Sequence, residues 1–129
     1  MREPDFRTLG DSEYRFACIV WEHEPLGSGQ LVQLAAEQLG WKKSTTYTVL
    51  KKLIEKGILQ NEDSIVSSRV PKEQVRRHES TVFLDRTFNG SLPAFVAAFL
   101  GENTLSAQDA AEIRAMLDAS QTKEGGGTC

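Results

Sequence analysis

Two segments with a helical repeat, Ser28 to Leu39 and Ser44 to Lys56, are separated only by Gly40-Trp41-Lys42-Lys43. Leu31, Leu34, Ala35 and Leu39 set an apolar stripe on the first, with Ser28 as its expected N-cap and Gly40 where a left-handed residue past the end is wanted. Tyr47, Leu50, Leu53 and Ile54 set the stripe on the second, and Gly57 supplies its stop. Two helices of this length joined by a short Gly-containing turn match a helix-turn-helix, a pattern that a bare helical hairpin shares. The next residues narrow the choice. Ile58-Leu59-Gln60 reads as a strand, Asn61-Glu62-Asp63 as a turn, and Ser64 to Val70 as a second strand closed by Pro71. A small hairpin directly after a helix-turn-helix is a winged helix.

Around this centre the chain reads as helical. After Leu9-Gly10, Asp11 or Ser12 is the expected cap of a helix with Tyr14, Ala17, Cys18 and Trp21 on its apolar side, ended by Pro25 and Gly27. Lys72 to Phe88 contains no Gly or Pro, carries Val75, Val82, Phe83, Leu84 and Phe88, and is stopped by Asn89-Gly90. Ser91 caps a short helix with Leu92, Phe95, Val96, Phe99 and Leu100 along one side; Pro93 suits its first turn and Gly101 is its expected stop. Ser106 to Asp109 forms a capping box ahead of Ala110, Ile113 and Leu117. The expected class is mainly α with a small β-hairpin. A winged helix-turn-helix domain over 1–71 precedes a helical dimerisation domain over 72–120 and a flexible Gly-rich tail over 121–129.

The chemistry-bearing residues exclude more than they offer. Cys18, Cys129, His23 and His78 are too few and too scattered for a disulfide framework or a metal cluster. Cys18 lies in an apolar stripe and reads as a small core residue. No Gly-rich phosphate loop, paired carboxylates or nucleophile-base pair stands at a usable spacing, so neither an enzyme nor a cofactor is expected. No apolar run is long enough to cross a bilayer, and the charged stretch Met1 to Gly10 is no secretory signal, which makes the cytoplasm the expected compartment. The net charge of −3 hides a local asymmetry. Lys42, Lys43, Lys51, Lys52 and Lys56 face Glu55 alone, and Arg69, Lys72, Arg76 and Arg77 face Glu73 alone. An acidic chain of this kind can present a basic face and stay soluble.

With Tyr47, Leu50 and Ile54 inward, the opposite side of Ser44–Lys56 carries Thr45, Thr48 and Lys52, flanked by Ser44 and Lys51, with Lys42 and Lys43 at its start. Small hydroxyl side chains let a helix backbone approach a major groove, exchange hydrogen bonds with base edges and pack a methyl on thymine. Lysines beside them meet phosphates. The helix N-terminus at Ser28 is a further phosphate candidate. Lys51, Lys52 and Lys56 would also suit the C-terminal dipole of their helix whatever its function, but Lys42 and Lys43 stand at the unfavourable end, where a nucleic-acid contact explains them better. The apolar residues of 72–120 exceed what three short helices bury alone; a second copy of the chain completes the core economically, and folding back onto the winged unit is the other solution. A winged helix that docks a protein and never touches DNA is the competing function.

The sequence resembles the penicillinase-repressor (BlaI/MecI/CopY) family of bacterial transcriptional repressors. The likeness runs from about Leu9 to Ala119. It is carried by Asp11-Ser-Glu with Val20-Trp21, by Trp41-Lys-Lys-Ser-Thr-Thr-Tyr-Thr-Val-Leu-Lys-Lys-Leu-Ile-Glu-Lys-Gly57, and by Phe83-Leu-Asp-Arg-Thr-Phe-Asn-Gly-Ser-Leu92. The resemblance implies a homodimeric winged-helix repressor on an inverted-repeat operator. Its recognition positions fall on Lys43, Ser44, Thr45 and Thr48. From the residues themselves, Arg69 is the candidate contact in the wing, and Phe83, Phe88, Leu92, Phe95, Val96, Phe99, Leu100, Ile113 and Leu117 are expected to face a second copy. The resemblance also implies derepression through a membrane sensor-transducer protease. The segment matching the family's Asn-Phe cleavage site reads Ala98-Phe99 here, the wing is short and lacks aromatics, and Cys129 stands alone where a copper-responsive relative has paired cysteines.

Overall fold

The structure is a computed structural model that describes residues 9–127, with side chains as far as Gln121. Along the chain run α1 (Asp11–His23), β1 (Leu26–Gly27), α2 (Ser28–Leu39), α3 (Lys43–Glu55), β2 (Leu59–Glu62), β3 (Ile65–Ser68), α4 (Lys72–Phe88), α5 (Leu92–Glu102) and α6 (Ala107–Gly127). The class is mainly α with a small antiparallel sheet, as the periodicities require.

The core of the winged unit gathers Phe16, Ala17, Ile19 and Val20 from α1, Leu26 from β1, Leu31 and Ala35 from α2, and Leu50 and Leu53 from α3. Ile58, Leu59 and Val66 close it from the wing, and Val75 from α4. Phe16 stacks on Trp41 of the turn, with ring centroids 5.3 Å apart. The face that α1 buries differs from the expected one. Of Tyr14, Ala17, Cys18 and Trp21, only Ala17 is buried; the other three sit half-buried on the adjoining side. There Tyr14 meets Trp21 edge to face at 5.9 Å, and the indole Nε1 of Trp21 donates to the Val70 carbonyl at 3.0 Å. Apolar residues line two adjacent sides of this helix, and the inner one packs against α2 and the sheet. Its N-cap is Gly10, not Asp11 or Ser12.

The wing is one strand larger and one residue tighter than expected. β1 pairs antiparallel with β3, giving the order β1-β3-β2. A two-residue strand carries no readable period, so its existence depends on the partner. Between β2 and β3, Glu62 pairs with Ile65, leaving Asp63-Ser64 as the turn. Both turn residues have positive φ, 54° and 65°, as a tight hairpin matched to strand twist demands. Asn61 and Glu62 are therefore strand residues, and Ser64 belongs to the turn. The Glu24 carboxylate ties the loop after α1 to the end of β3, accepting from Ser68 N at 2.7 Å and from Ser68 Oγ at 2.9 Å.

Beyond Pro71, α4 keeps the expected bounds and ends at Asn89 and Gly90, both with left-handed φ. Ser91 Oγ accepts from Ala94 N at 3.1 Å, the expected cap of α5. Gly101 does not stop α5, which runs on to Glu102 and closes at Asn103. A glycine inside a helix costs only about 1 kcal/mol relative to Ala, and no other group lies within 4 Å of where a Cβ would stand at Gly101. Ser106 Oγ caps α6 through Asp109 N at 3.0 Å. The backbone of the segment expected as a tail is helical as far as Gly127; Thr128 and Cys129 lie outside the described residues.

Candidate nucleic-acid interface

The outward face of α3 is set by what the helix buries. The buried residues are Thr46, Leu50 and Leu53, with Thr46 only 1% exposed. Thr46 satisfies its hydroxyl by donating to the Lys42 carbonyl one turn back, at 3.1 Å. Of the expected inward residues, Leu50 and Leu53 are in place, Ile54 is half-buried, and Tyr47 is 38% exposed. This rotates the helix from the expected setting. At about 100° per residue, the line opposite the core passes through Ser44, Thr48, Lys51 and Glu55, all exposed. Thr45 and Lys52, also exposed, flank this line on one side, and Tyr47 stands on the other. Lys42 is the N-cap and Lys43 the first helical residue, both exposed. The helix thus starts one residue before the expected Ser44 and ends at Glu55, with Lys56 as its C-cap.

One lysine of the basic stretch is structural. Lys56 Nζ lies 2.8 Å from Glu13 Oε1, joining the end of α3 to the start of α1, and both side chains are less than one fifth exposed. Burial alone would raise the Glu13 pKa. The hydrogen bonds from Lys56 and from Gly10 N, with the charges of Lys56 and Lys52, outweigh it and hold the carboxyl below its ordinary 4.5. A carboxyl depressed on folding stabilises the protein above its ordinary pKa, and that contribution fades as the pH falls through the folded value. Glu13→Gln is expected to lower unfolding stability by about 1–3 kcal/mol at neutral pH. The gap from wild type should narrow steadily below pH 4.5; denaturant titrations across that range read both effects.

Ser28 takes a different place from the expected open helix terminus. The N-cap of α2 is Gly27, and Ser28 is the first helical residue. Its N–H donates to the Ser64 carbonyl of the wing turn at 2.8 Å, and its Oγ accepts from the Tyr47 hydroxyl at 3.3 Å. Ser28 is therefore a bridge between the edge of α3 and the wing tip. Arg69, exposed, follows β3 at the end of the wing away from the turn, its N–H bonded to the Ile58 carbonyl at 2.8 Å. The tip itself, Asn61 to Ser64, is exposed. The second basic stretch does not join the α3 face as a block: Arg76 and Arg77 lie 3.7 and 3.6 Å from Glu73 on α4.

The residues expected at a partner copy fall into two groups. Phe83, Phe88, Phe95 and Phe99 form a chain of ring contacts, with centroids 5.4 to 6.4 Å apart, that docks α5 on α4 within one chain. Phe88 and Phe95 are half-buried by it. Phe83 and Phe99, with Leu92, Val96, Leu100, Ile113 and Leu117, remain between 41 and 51% exposed. Leu105 and Met116 are exposed apolar side chains as well. Ala98 is exposed beside Phe99 in the body of α5.

Tyr47 and Thr46 exchange the roles that hydropathy suggests for them. The signal was present: Thr46, Leu50 and Leu53 sit at i, i+4 and i+7, as regular a stripe as the one through Tyr47, but threonine counts as polar until its hydroxyl is seen bonded to its own helix. Among the described residues no three His, Cys, Asp or Glu side chains converge as a metal site, and no helix is long and apolar enough to cross a membrane.

A family model described as penicillinase repressor matches residues 9–119. The chain is 22% identical over 120 residues to a protein named penicillinase repressor from Bacillus licheniformis, covering 90% of this chain and 94% of that one. It is 21% identical over 114 residues to the methicillin resistance regulatory protein MecI of Staphylococcus aureus, covering 85% and 93%. An uncharacterized 16.5 kDa protein of Latilactobacillus sakei is 24% identical over 112 residues, covering 84% and 77%.

Proposed function

The chain belongs to the penicillinase-repressor family, and on that premise we propose that it is a homodimeric transcriptional repressor, not an enzyme, that occupies an inverted-repeat DNA operator through α3. The observation that carries this reading is the outward face of α3. Ser44, Thr45 and Thr48 are exposed opposite a buried Thr46, Leu50 and Leu53, and exposed lysines at 42, 43, 51 and 52 surround them. A protein-docking helix would present apolar side chains there. Hydroxyls and a fringe of cations suit base edges and phosphates respectively.

The mechanism needs only equilibrium occupancy. Two copies joined through the exposed side chains of α4, α5 and α6 hold two α3 helices toward successive major grooves, about 34 Å apart or a multiple of it. Thr45 and Thr48 read bases; Lys42, Lys43, Lys51 and Lys52 grip the backbone, with Arg69 at the wing base as a further phosphate ligand. Ser28 assists by holding Tyr47 and the wing turn in place. The relatives' names point to β-lactam resistance or a related stress response as the regulated process, in the cytoplasm. A membrane sensor-transducer protease upstream would act at Ala98-Phe99, where a cut severs α5 and with it the partner surface.

The test is selection of bound sequences from a randomised duplex library, followed by titrations of the selected duplex and a scrambled one at several salt concentrations. Thr48→Ala is expected to cost about 1–3 kcal/mol on the selected duplex and little on the scrambled one. Lys43→Ala should weaken both, and lower the log–log salt slope by about 0.9 for each phosphate it no longer neutralises. An equal loss on both duplexes for Thr48→Ala overturns the reading-face assignment. Weak, salt-insensitive binding to every duplex overturns the repressor reading in favour of a protein-docking winged helix.

A further inference from the structure

The wing tip carries the wrong charge for a DNA clamp. Glu62 closes β2 and Asp63 opens the turn, both exposed, and the cation of this hairpin, Arg69, stands at its opposite end. The tip is also held where its charge matters. Ser64 accepts from Ser28 N at 2.8 Å, and Ser28 Oγ accepts from Tyr47 OH at 3.3 Å, so two hydrogen bonds connect the turn to the outward edge of α3 beside Thr48. The positive φ of both turn residues and the pairing of Glu62 with Ile65 define a tight two-residue turn, which sets Glu62 and Asp63 at the tip.

A duplex seated on Thr48 presents its flanking phosphates along both edges of α3. Charges interact appreciably within a Debye length of about 8–10 Å at physiological salt. We infer that Glu62 and Asp63 are affinity-limiting residues: they repel the phosphates beside the groove and keep the wing tip from adding to the backbone grip. Binding then rests on α3 and on Arg69 at the wing base, and the repressor leaves its site more readily than its cations alone would allow. Sequence-independent affinity is almost wholly electrostatic, so the brake acts on every duplex. This inference rests on the DNA-binding reading of α3.

The experiment is Glu62→Gln with Asp63→Asn in the full-length protein; asparagine tolerates the left-handed φ at 63. A control, Glu22→Gln with Glu37→Gln, changes net charge equally at exposed positions on α1 and α2. Each is titrated by fluorescence anisotropy against the library-selected duplex and a scrambled duplex at several salt concentrations. The wing variant should bind both duplexes about tenfold more tightly at low salt, with a steeper salt dependence and an unchanged melting temperature, while the control stays near wild type. Unchanged or weaker binding by the wing variant overturns the inference, as does an equal gain in the control. A fall in melting temperature with no gain in affinity overturns it too, by giving Asp63 a purely structural role at the N-terminus of α2. If the wild type binds no duplex even at low salt, the DNA-binding reading falls as well, whereas wild-type binding with an inert wing variant removes the wing inference alone.

Discussion

A chain carrying Val96→Asp and Phe99→Asp is expected to sediment as a monomer and to lose about 10²–10⁴-fold of its affinity for a duplex with two half-sites. Val96 is 42% and Phe99 44% exposed on the same side of α5, which also carries the exposed Leu92 and Leu100; Ile113 and Leu117 are exposed on α6. Burying such side chains against a second copy is worth about 1.5–3 kcal/mol each, and an unpaired carboxylate in that position reverses the gain. The affinity loss follows because, once one α3 is bound, its partner engages as an intramolecular event. No residue of the winged-unit core lies on α5, so that unit should keep its fold in the variant. Ala94→Asp, exposed on the opposite side of α5, is the matched control and should leave both the mass and the affinity unchanged. A double variant that stays dimeric by analytical ultracentrifugation would remove this surface from the assembly.

Leu53→Ala is expected to cost about 2–5 kcal/mol of stability, a large part of the roughly 5–15 kcal/mol typical of a small domain. Leu53 is fully buried on α3 within the core of the winged unit, and truncation leaves a void that close-packed neighbours fill only partly. Its effect on DNA should pass through the folded fraction alone: below the melting transition, the folded variant binds like wild type. Thr48→Ala, on the other side of the same helix, should do the reverse, changing sequence preference at constant melting temperature. Circular dichroism melts paired with the duplex titrations separate the two faces of α3. A Leu53→Ala protein as stable as wild type would contradict this packing.

Much of the arrangement was legible in the residues. The bounds of α4, the Asn89-Gly90 stop, the Ser91 and Ser106 caps and the exposure of Lys42, Lys43, Ser44, Thr45 and Thr48 all follow from capping chemistry and period. These are local effects, decided within one or two turns of chain. What failed to show involved a choice between equivalent local options. Helix α1 has apolar residues on two sides, and only its packing against α2, Trp41 and the sheet selects Phe16, Ile19 and Val20 over Tyr14, Cys18 and Trp21. Helix α3 could turn in either Tyr47 or Thr46.

Sequence alone therefore determined which segments are helices, where most of them stop, and that a hydroxyl- and lysine-bearing helix follows a short turn. The tertiary structure decided the rotation of α3, the recruitment of Leu26-Gly27 as a third strand, the withdrawal of Lys56 into a pair with Glu13, and the pinning of the wing turn on Ser28. The reason is physical. Helix propensity and caps are settled by neighbours along the chain, whereas burial, ion pairing and strand pairing depend on distant partners, 43 residues apart for Glu13 and Lys56, and their energies exist only once those partners have met.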